Sequence, residues 1–135
     1  MAELSITAAN VISSGNNSSG IAGATITAGQ AVYKDSTDSN KLKLCLATGT
    51  AAQAACVGIA LNGSADGQPF DYITAGSLVP GATVAAGTIY TTGSTAGGID
   101  TSTTAASSDR LTILGVGTAT NAIKVSLVLS GVQKA

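Results

Sequence analysis

Histidine is absent from the 135 residues, which removes the commonest general base and a leading metal ligand. Tryptophan is absent too, and only Phe70, Tyr33, Tyr72 and Tyr90 are aromatic. Four scattered rings make no base-stacking platform, and the core is left to Val, Ile, Leu and Ala, which suit thin β layers. Charged residues make up 10% of the chain, the net charge is −1, and no basic block occurs. That argues against nucleic acid as the main partner, since phosphate binding needs clustered Lys and Arg. A surface this poor in charge has little repulsion to keep copies apart and suits a chain that works in an assembly. Gly, Thr or Ser interrupts every apolar run, so no transmembrane helix and no membrane partner are predicted. The opening MAELSITAANVISS carries Glu3, no basic residue and no continuous apolar stretch. It does not read as a secretory signal, so the chain is expected to stay in the cytoplasm or to leave by lysis. Cys45 and Cys56 are the only cysteines. Without a signal they are expected to be small, reduced apolar residues; the alternative is a disulfide across a hairpin. Neither reading leaves enough ligands for a zinc site.

What the chain has instead is glycine and repetition. The stretch GATITAGQAVY at residues 23–33 returns as GATVAAGTIY at residues 81–90, with Gly23 matching Gly81 and Gly29 matching Gly87, each 58 positions on (81 − 23, 87 − 29). Each copy reads as strand, glycine turn, strand. The pattern predicts an all-β fold, a compact barrel or sandwich built from two similar strand-turn-strand halves. Residues 1–20 read as an extended N-terminal arm: Leu4, Ile6 and Ala8 alternate with polar residues, then residues 13–20 form a flexible linker without an apolar side chain. Residues 21–135 read as a single β domain with a pseudo-repeat, 21–76 and 77–131.

Between these marks, Leu42, Leu44 and Leu46 alternate on one face of a half-buried strand. Residues 51–55 suit one helical turn, Val57 to Leu61 the next strand, and Asn62 to Gly67 a turn. Residues 69–73 follow as a strand. In the second half, residues 91–108 are expected to be a long loop, followed by strands at 111–117 and 122–129, the last with Val125, Leu127 and Leu129 on one face.

No catalytic, cofactor-binding or metal site is predicted. Ser64, in Gly63-Ser64-Ala65-Asp66-Gly67, lacks nucleophile-elbow spacing and a His partner, and a hairpin turn explains it. Asp35 and Asp38 beside Ser39 and Asn40 match a calcium loop in composition but not in ligand positions. Asp66 and Asp71 flank a turn as two solvated charges. The glycines open no helix and precede no Lys-Ser/Thr, so they form no phosphate cradle. Phe70 and Tyr72, two apart on one strand face, are assigned to the core or a subunit contact.

One arrangement resembles a known family. The runs Ala28-Gly29-Gln30-Ala31-Val32-Tyr33, Val57-Gly58-Ile59-Ala60-Leu61-Asn62 and Ala65-Asp66-Gly67-Gln68 resemble the capsid decoration, or cement, proteins of tailed bacteriophages. The likeness covers roughly residues 20–90 well and the rest loosely. It implies a non-enzymatic, compact β protein of the virion, made in the bacterial cytoplasm. Such a protein sits on the capsid exterior as a homotrimer, binds the major capsid protein, and bridges capsomers against genome pressure. The rival readings are a head-fibre or tail-associated structural protein, and a biotinyl-type module. The latter needs a lysine at a hairpin tip, where Lys34 is the nearest candidate.

Overall fold

The computed structural model describes residues 4, 6, 11–47, 49, 51–93, 95–101 and 110–133. Within them the chain is all-β, a single antiparallel sheet curled into a half-barrel. Its strands are β1 (Val11–Ile21), β2 (Ala31–Asp35), β3 (Lys41–Leu44), β4 (Gly58–Ala60), β5 (Pro69–Pro80), β6 (Ile89–Thr92), β7 (Ile99–Thr101), β8 (Arg110–Ala119) and β9 (Ala122–Gln133). One helical turn, α1 (Ala51–Ala54), joins β3 to β4. The sheet order is β3-β2-β4-β5-β9-β8-β6-β7, with β1 paired to β5 off this path. From either end the connectivity reads alike: β3-β2-β4-β5 matches β7-β6-β8-β9.

The two glycine turns are built alike in detail. Gly29 and Gly87 have φ of 91° and 81°, a conformation that glycine adopts without a Cβ penalty. The Gly29 N–H donates to Ala60 O (2.8 Å) and the Gly87 N–H to Gly117 O (2.7 Å). Ala60 and Gly117 return the bond to Gln30 O and Thr88 O. Register pairs Ala31 with Ile59 in the first unit and Ile89 with Val116 in the second. Ahead of each turn a short strap crosses its unit. Ile26 bridges to Ser64, and the Val84 N–H donates to Thr120 O (2.8 Å). The expected first strand of each hairpin is thus reduced to an isolated bridge or a single bond.

Several expectations need correction. The polar run at 13–20 is no linker, because β1 spans Val11–Ile21 and pairs with β5 along its length, so the described part of the expected arm at 11–20 belongs to the sheet. Ser, Asn and Gly take an extended backbone readily once a partner strand supplies the ladder. At Gly15 the strands approach so closely that a Cβ would run into the Ala75 carbonyl oxygen. Of the arm proper, Leu4 and Ile6 are described and pack on the chain's own core, with the Leu4 N–H donating to Ile99 O (2.9 Å). Ala8 lies outside the described residues. The long loop expected at 91–108 contains the end of β6 and all of β7; its stretch 102–109 lies outside the described residues. Leu42 and Leu44 share one face of β3 as expected and lie on the smaller cluster, with Lys41 and Lys43 on the other side; only Leu46 falls beyond the strand.

Cys45 and Cys56 are paired as a disulfide, not held as reduced thiols, with Cα atoms 6.0 Å apart. They flank β2 on its two sides. Cys45 donates its N–H to Ala31 O, and the residue after Cys56, Val57, donates to Val32 O. The link, across 11 positions, is the alternative that the sequence left open.

Two apolar clusters hold the sheet, and their membership shows how the units stack. The first unit's strap side, with Ile26, Val32 and Tyr72 and with Val57 packed against them, closes on itself together with Ala22, Leu42 and Phe70. Its other face, with Ala31, Ile59 and Ile73, lies in the larger cluster. There it meets Val84, Tyr90, Leu114 and Ile123, which hold in the second unit the positions of Ile26, Val32, Val57 and Tyr72. The units therefore stack head to tail: the strap side of the second covers the open face of the first.

Polar bonds lock the stack. The Thr112 hydroxyl donates to Ala54 O at the end of α1 and accepts from the Cys56 N–H (3.3 Å), satisfying two buried backbone groups at once. The β6–β7 loop closes the curl. Gly97 accepts from Ala31 N–H (3.0 Å) and donates to Cys45 O (2.7 Å), while Ala47 donates to Gly93 O (2.9 Å). Gly97 has φ of 76°, and a Cβ there would stand 3.0 Å from both Gln30 Cβ and Leu44 Cδ2.

Candidate interaction surface

Most residues considered for chemistry have a structural partner. The Ser64 hydroxyl donates to Gln68 O (2.9 Å) and so closes its own turn, and Gly67 there has φ of 86°. Asp35 and Asp38 converge on an ammonium of the same chain: Lys43 Nζ lies 2.7 Å from Asp35 Oδ2 and 3.2 Å from Asp38 Oδ2. The Lys43 bond, with further hydrogen bonds from the Thr37 hydroxyl and N–H, holds the Asp35 carboxyl down at about 2. Lys43 is pushed above its usual value by the same two acids, Asp35 first. Asp66 faces Lys41 at 4.0 Å, while the Asp71 N–H donates to the Asn62 side chain (2.9 Å). Among the described residues no three His, Cys, Asp or Glu side chains gather as a metal set. Phe70 and Tyr72 pack together, centroids 6.0 Å apart, inside the smaller cluster. Lys34 is exposed but sits within β2, in register with Leu42, away from the hairpin tip that a biotinyl-type module would require.

A cleft of about 200 Å³ opens where Leu4, Ile6, the Gly29 turn and the β6–β7 loop meet. Three of its backbone donors are used within the fold: Thr27 N–H by the Gln30 side chain, Gly97 N–H by Cys45 O, and Gly98 N–H by Thr95 O.

The feature that stands out is a surface. Among the described residues, four large apolar side chains are substantially exposed: Ile12 (60%), Ile21 (42%), Ile89 (41%) and Val116 (40%). Register places three of them on one face. Ile89 pairs with Val116, Val116 with Lys124, and Lys124 with Ser77. Residues paired across a sheet point to the same side, and so do residues two apart along a strand. Val79, two beyond Ser77, therefore shares this side, and so does its partner Ile12. The outer face of β1, β5, β9, β8 and β6 thus carries Ile12, Val79, Val116 and Ile89 together with Lys124 and the exposed Ser77 and Ser126. Its reverse side carries Leu78, Ile123 and Val125 into the core, and the register shift between Ile113 and Gly115 lets Leu114 turn inward as well, although Val116 points outward.

Neither a family model nor a curated protein matches this chain.

The face was not singled out from the sequence. Ile12, Val79, Val116 and Ile89 lie on four strands, and only the long-range register of β1 on β5 and of β5 on β9 brings them together. Alternation within β8 and β9 was the one local signal available.

Proposed function

We propose that the chain is a structural virion protein, a decoration protein that binds the outside of a tailed-phage head and stabilises the shell by bridging capsomers. The observation that carries this reading is how its family-like residues are used. The Gly29 turn, the Val57-to-Asn62 run and the Ala65-to-Gln68 turn form one hydrogen-bonded framework. Gly29 is bonded to Ala60, Ser64 to Ile26, and the Gly67 N–H to Ala22 O (2.8 Å). The resemblance therefore rests on residues that shape a unit together, not on scattered matches.

The physical character of the molecule supports the same role. A cement protein needs a rigid body with broad, weakly polar surfaces, because symmetry multiplies modest contacts into avidity. The half-barrel is cross-linked and offers an apolar sheet face. Its polar side chains are bonded into turns rather than poised as acids, bases or nucleophiles. Copies act as trimers near local three-fold positions, in contact with the major capsid protein.

Adding the purified chain to mature heads that lack it tests the proposal. Saturable binding with a raised temperature of DNA release is expected. Heads that remain bare, or whose heat resistance is unchanged, would refute it. Labelled protein found on tails or fibres would favour a different virion role.

A further inference from the structure

We infer that Asn62 is a self-modification site: in the folded chain its side-chain amide is lost to attack by the Gly63 backbone nitrogen, leaving isoaspartate or aspartate in the turn that holds the first strap. The inference concerns the covalent chemistry of the free chain and stands without the shell-binding reading.

Asn62-Gly63 is the one Asn-Gly pair in the sequence. Glycine has no side chain to hinder the approach of its nitrogen to the side-chain carbon of the residue before it. The reaction needs access, a free N–H and a polarised carbonyl, and the turn supplies all three. Asn62 and Gly63 are both exposed, so water and base reach them. Among the described residues the Gly63 N–H has no acceptor, so no bond must break before it gives up its proton. Asn62 Oδ1 accepts the Asp71 N–H (2.9 Å), a donor aimed at the oxygen on which negative charge develops during attack. Attack joins Gly63 N to Asn62 Cγ, releases the amide proton and expels the side-chain nitrogen as ammonia, closing a succinimide. Water then opens the ring. Breaking the new bond to Cγ gives aspartate; breaking the original peptide bond gives isoaspartate, with the main chain running through Cγ.

The fold locks two comparable sites. Asp66-Gly67, in the same turn, could close the same ring with loss of water, but the Gly67 N–H is bonded to Ala22 O (2.8 Å). At Asn40-Lys41 the Lys41 N–H is bonded to Asp38 O (3.1 Å). Each bond must open before its nitrogen can react, and that opening slows the reaction.

The product changes what the turn holds. On one side of Asn62 the Leu61 N–H is bonded to Asp71 O (2.9 Å); on the other, the Ser64 N–H and carbonyl both pair with Ile26. Isoaspartate lengthens the main chain between these anchors and shortens the arm that reaches Asp71. It loosens the Asp71 N–H and the Ile26 strap together. Either product adds a negative charge to a turn that already carries Asp66.

The experiment ages the purified chain at neutral and at mildly alkaline pH, with short peptides of the same local sequences as unfolded references. Peptide mapping by mass spectrometry locates the change, and enzymatic carboxyl methylation detects isoaspartate. Asn62 is expected to gain about one mass unit at a rate within a few-fold of its peptide, faster at the higher pH, with isoaspartate among the products. Asp66 and Asn40 are expected to react about tenfold more slowly than in their peptides, or slower still. Gly63→Ala should keep the fold, since a Cβ there would come no nearer than 3.5 Å to Ile26 O, and should slow the change at Asn62 about tenfold. Amide hydrogen exchange should quicken at Ile26 and Asp71 in the aged chain and stay unchanged at Val84 in the second strap. A folded chain that keeps Asn62 intact while the peptide converts would overturn the inference. So would equal conversion at Asp66, or a Gly63→Ala chain that ages as fast as the wild type. Conversion with unaltered exchange at Ile26 would overturn the effect on the strap.

Discussion

Ile59 and Val116 occupy the same place in two similarly built units, yet one is fully buried and the other 40% exposed. The turns beside them show the same split. Gly29 and Gly87 share a positive φ and the same hydrogen bonds, but a Cβ on Gly29 would stand 2.5 Å from Ile6 Cγ2, whereas one on Gly87 would meet nothing. The difference teaches that position within a repeated unit does not determine environment. What determines it is which side of the stack the unit presents. The first unit is the interior partner, and the second offers a finished surface outward.

That contrast can be broken by substitution. Ile59→Ala should cost about 2–5 kcal/mol in urea unfolding, the range for deleting buried branched side chains. Val116→Ala should cost no more than about 0.5 kcal/mol, as for an exposed residue. Equal losses would mean that the two rows are covered alike. Removing the cross-link comes next. Cys45→Ser with Cys56→Ser should lower stability by about 3 kcal/mol, mainly by freeing the loop between them in the unfolded chain. The same loss should appear in the wild type under reductant, and its absence would mean that the sulfurs are not joined in solution.

The turns sharpen the comparison at smaller scale. Gly87→Ala should cost about 1–2 kcal/mol from left-handed backbone alone. Gly29→Ala should cost more, because Ile6 must also move; Gly29→Val should be worse still. A smaller loss at Gly29 than at Gly87 would contradict the packing of Ile6 on that turn.

The smallest effect is electrostatic and confined to the first unit. Asp35 is held at about 2 by Lys43 and Thr37. A carboxyl lowered on folding stabilises the protein above its ordinary value of 3.8 and loses that contribution as pH falls from about 4 to about 2. Lys43 has the opposite sense. Its contribution is complete below 10.5 and fades as pH rises through its raised value. Asp35→Asn should flatten the acid limb of the stability–pH curve and leave the neutral region little changed. An unaltered acid limb would exclude the pair as a contributor.

Much of the local fold was legible in the residues. Positive φ selects glycine, so Gly29 and Gly87 mark their turns from sequence alone, and alternation at Val125 and Leu127 marks β9. What escaped was whatever depends on distant pairing. Residues 13–20 carry no apolar signal, and only β5 makes them a strand. The Cys45–Cys56 link depends on β2 lying between its neighbours. The outward face of Ile89 and Val116 was hidden for the same reason, since alternation gives two sides of a strand but not which side another unit covers.

Occupancy of the chain on mature phage heads that lack it, counted per head by quantitative mass spectrometry across a titration, tests the central claim most directly. The account predicts saturation at a fixed number per head, set by the symmetry of the shell, with a parallel rise in the temperature at which DNA is released. Binding that fails, or that grows without saturation and leaves that temperature unchanged, would contradict it.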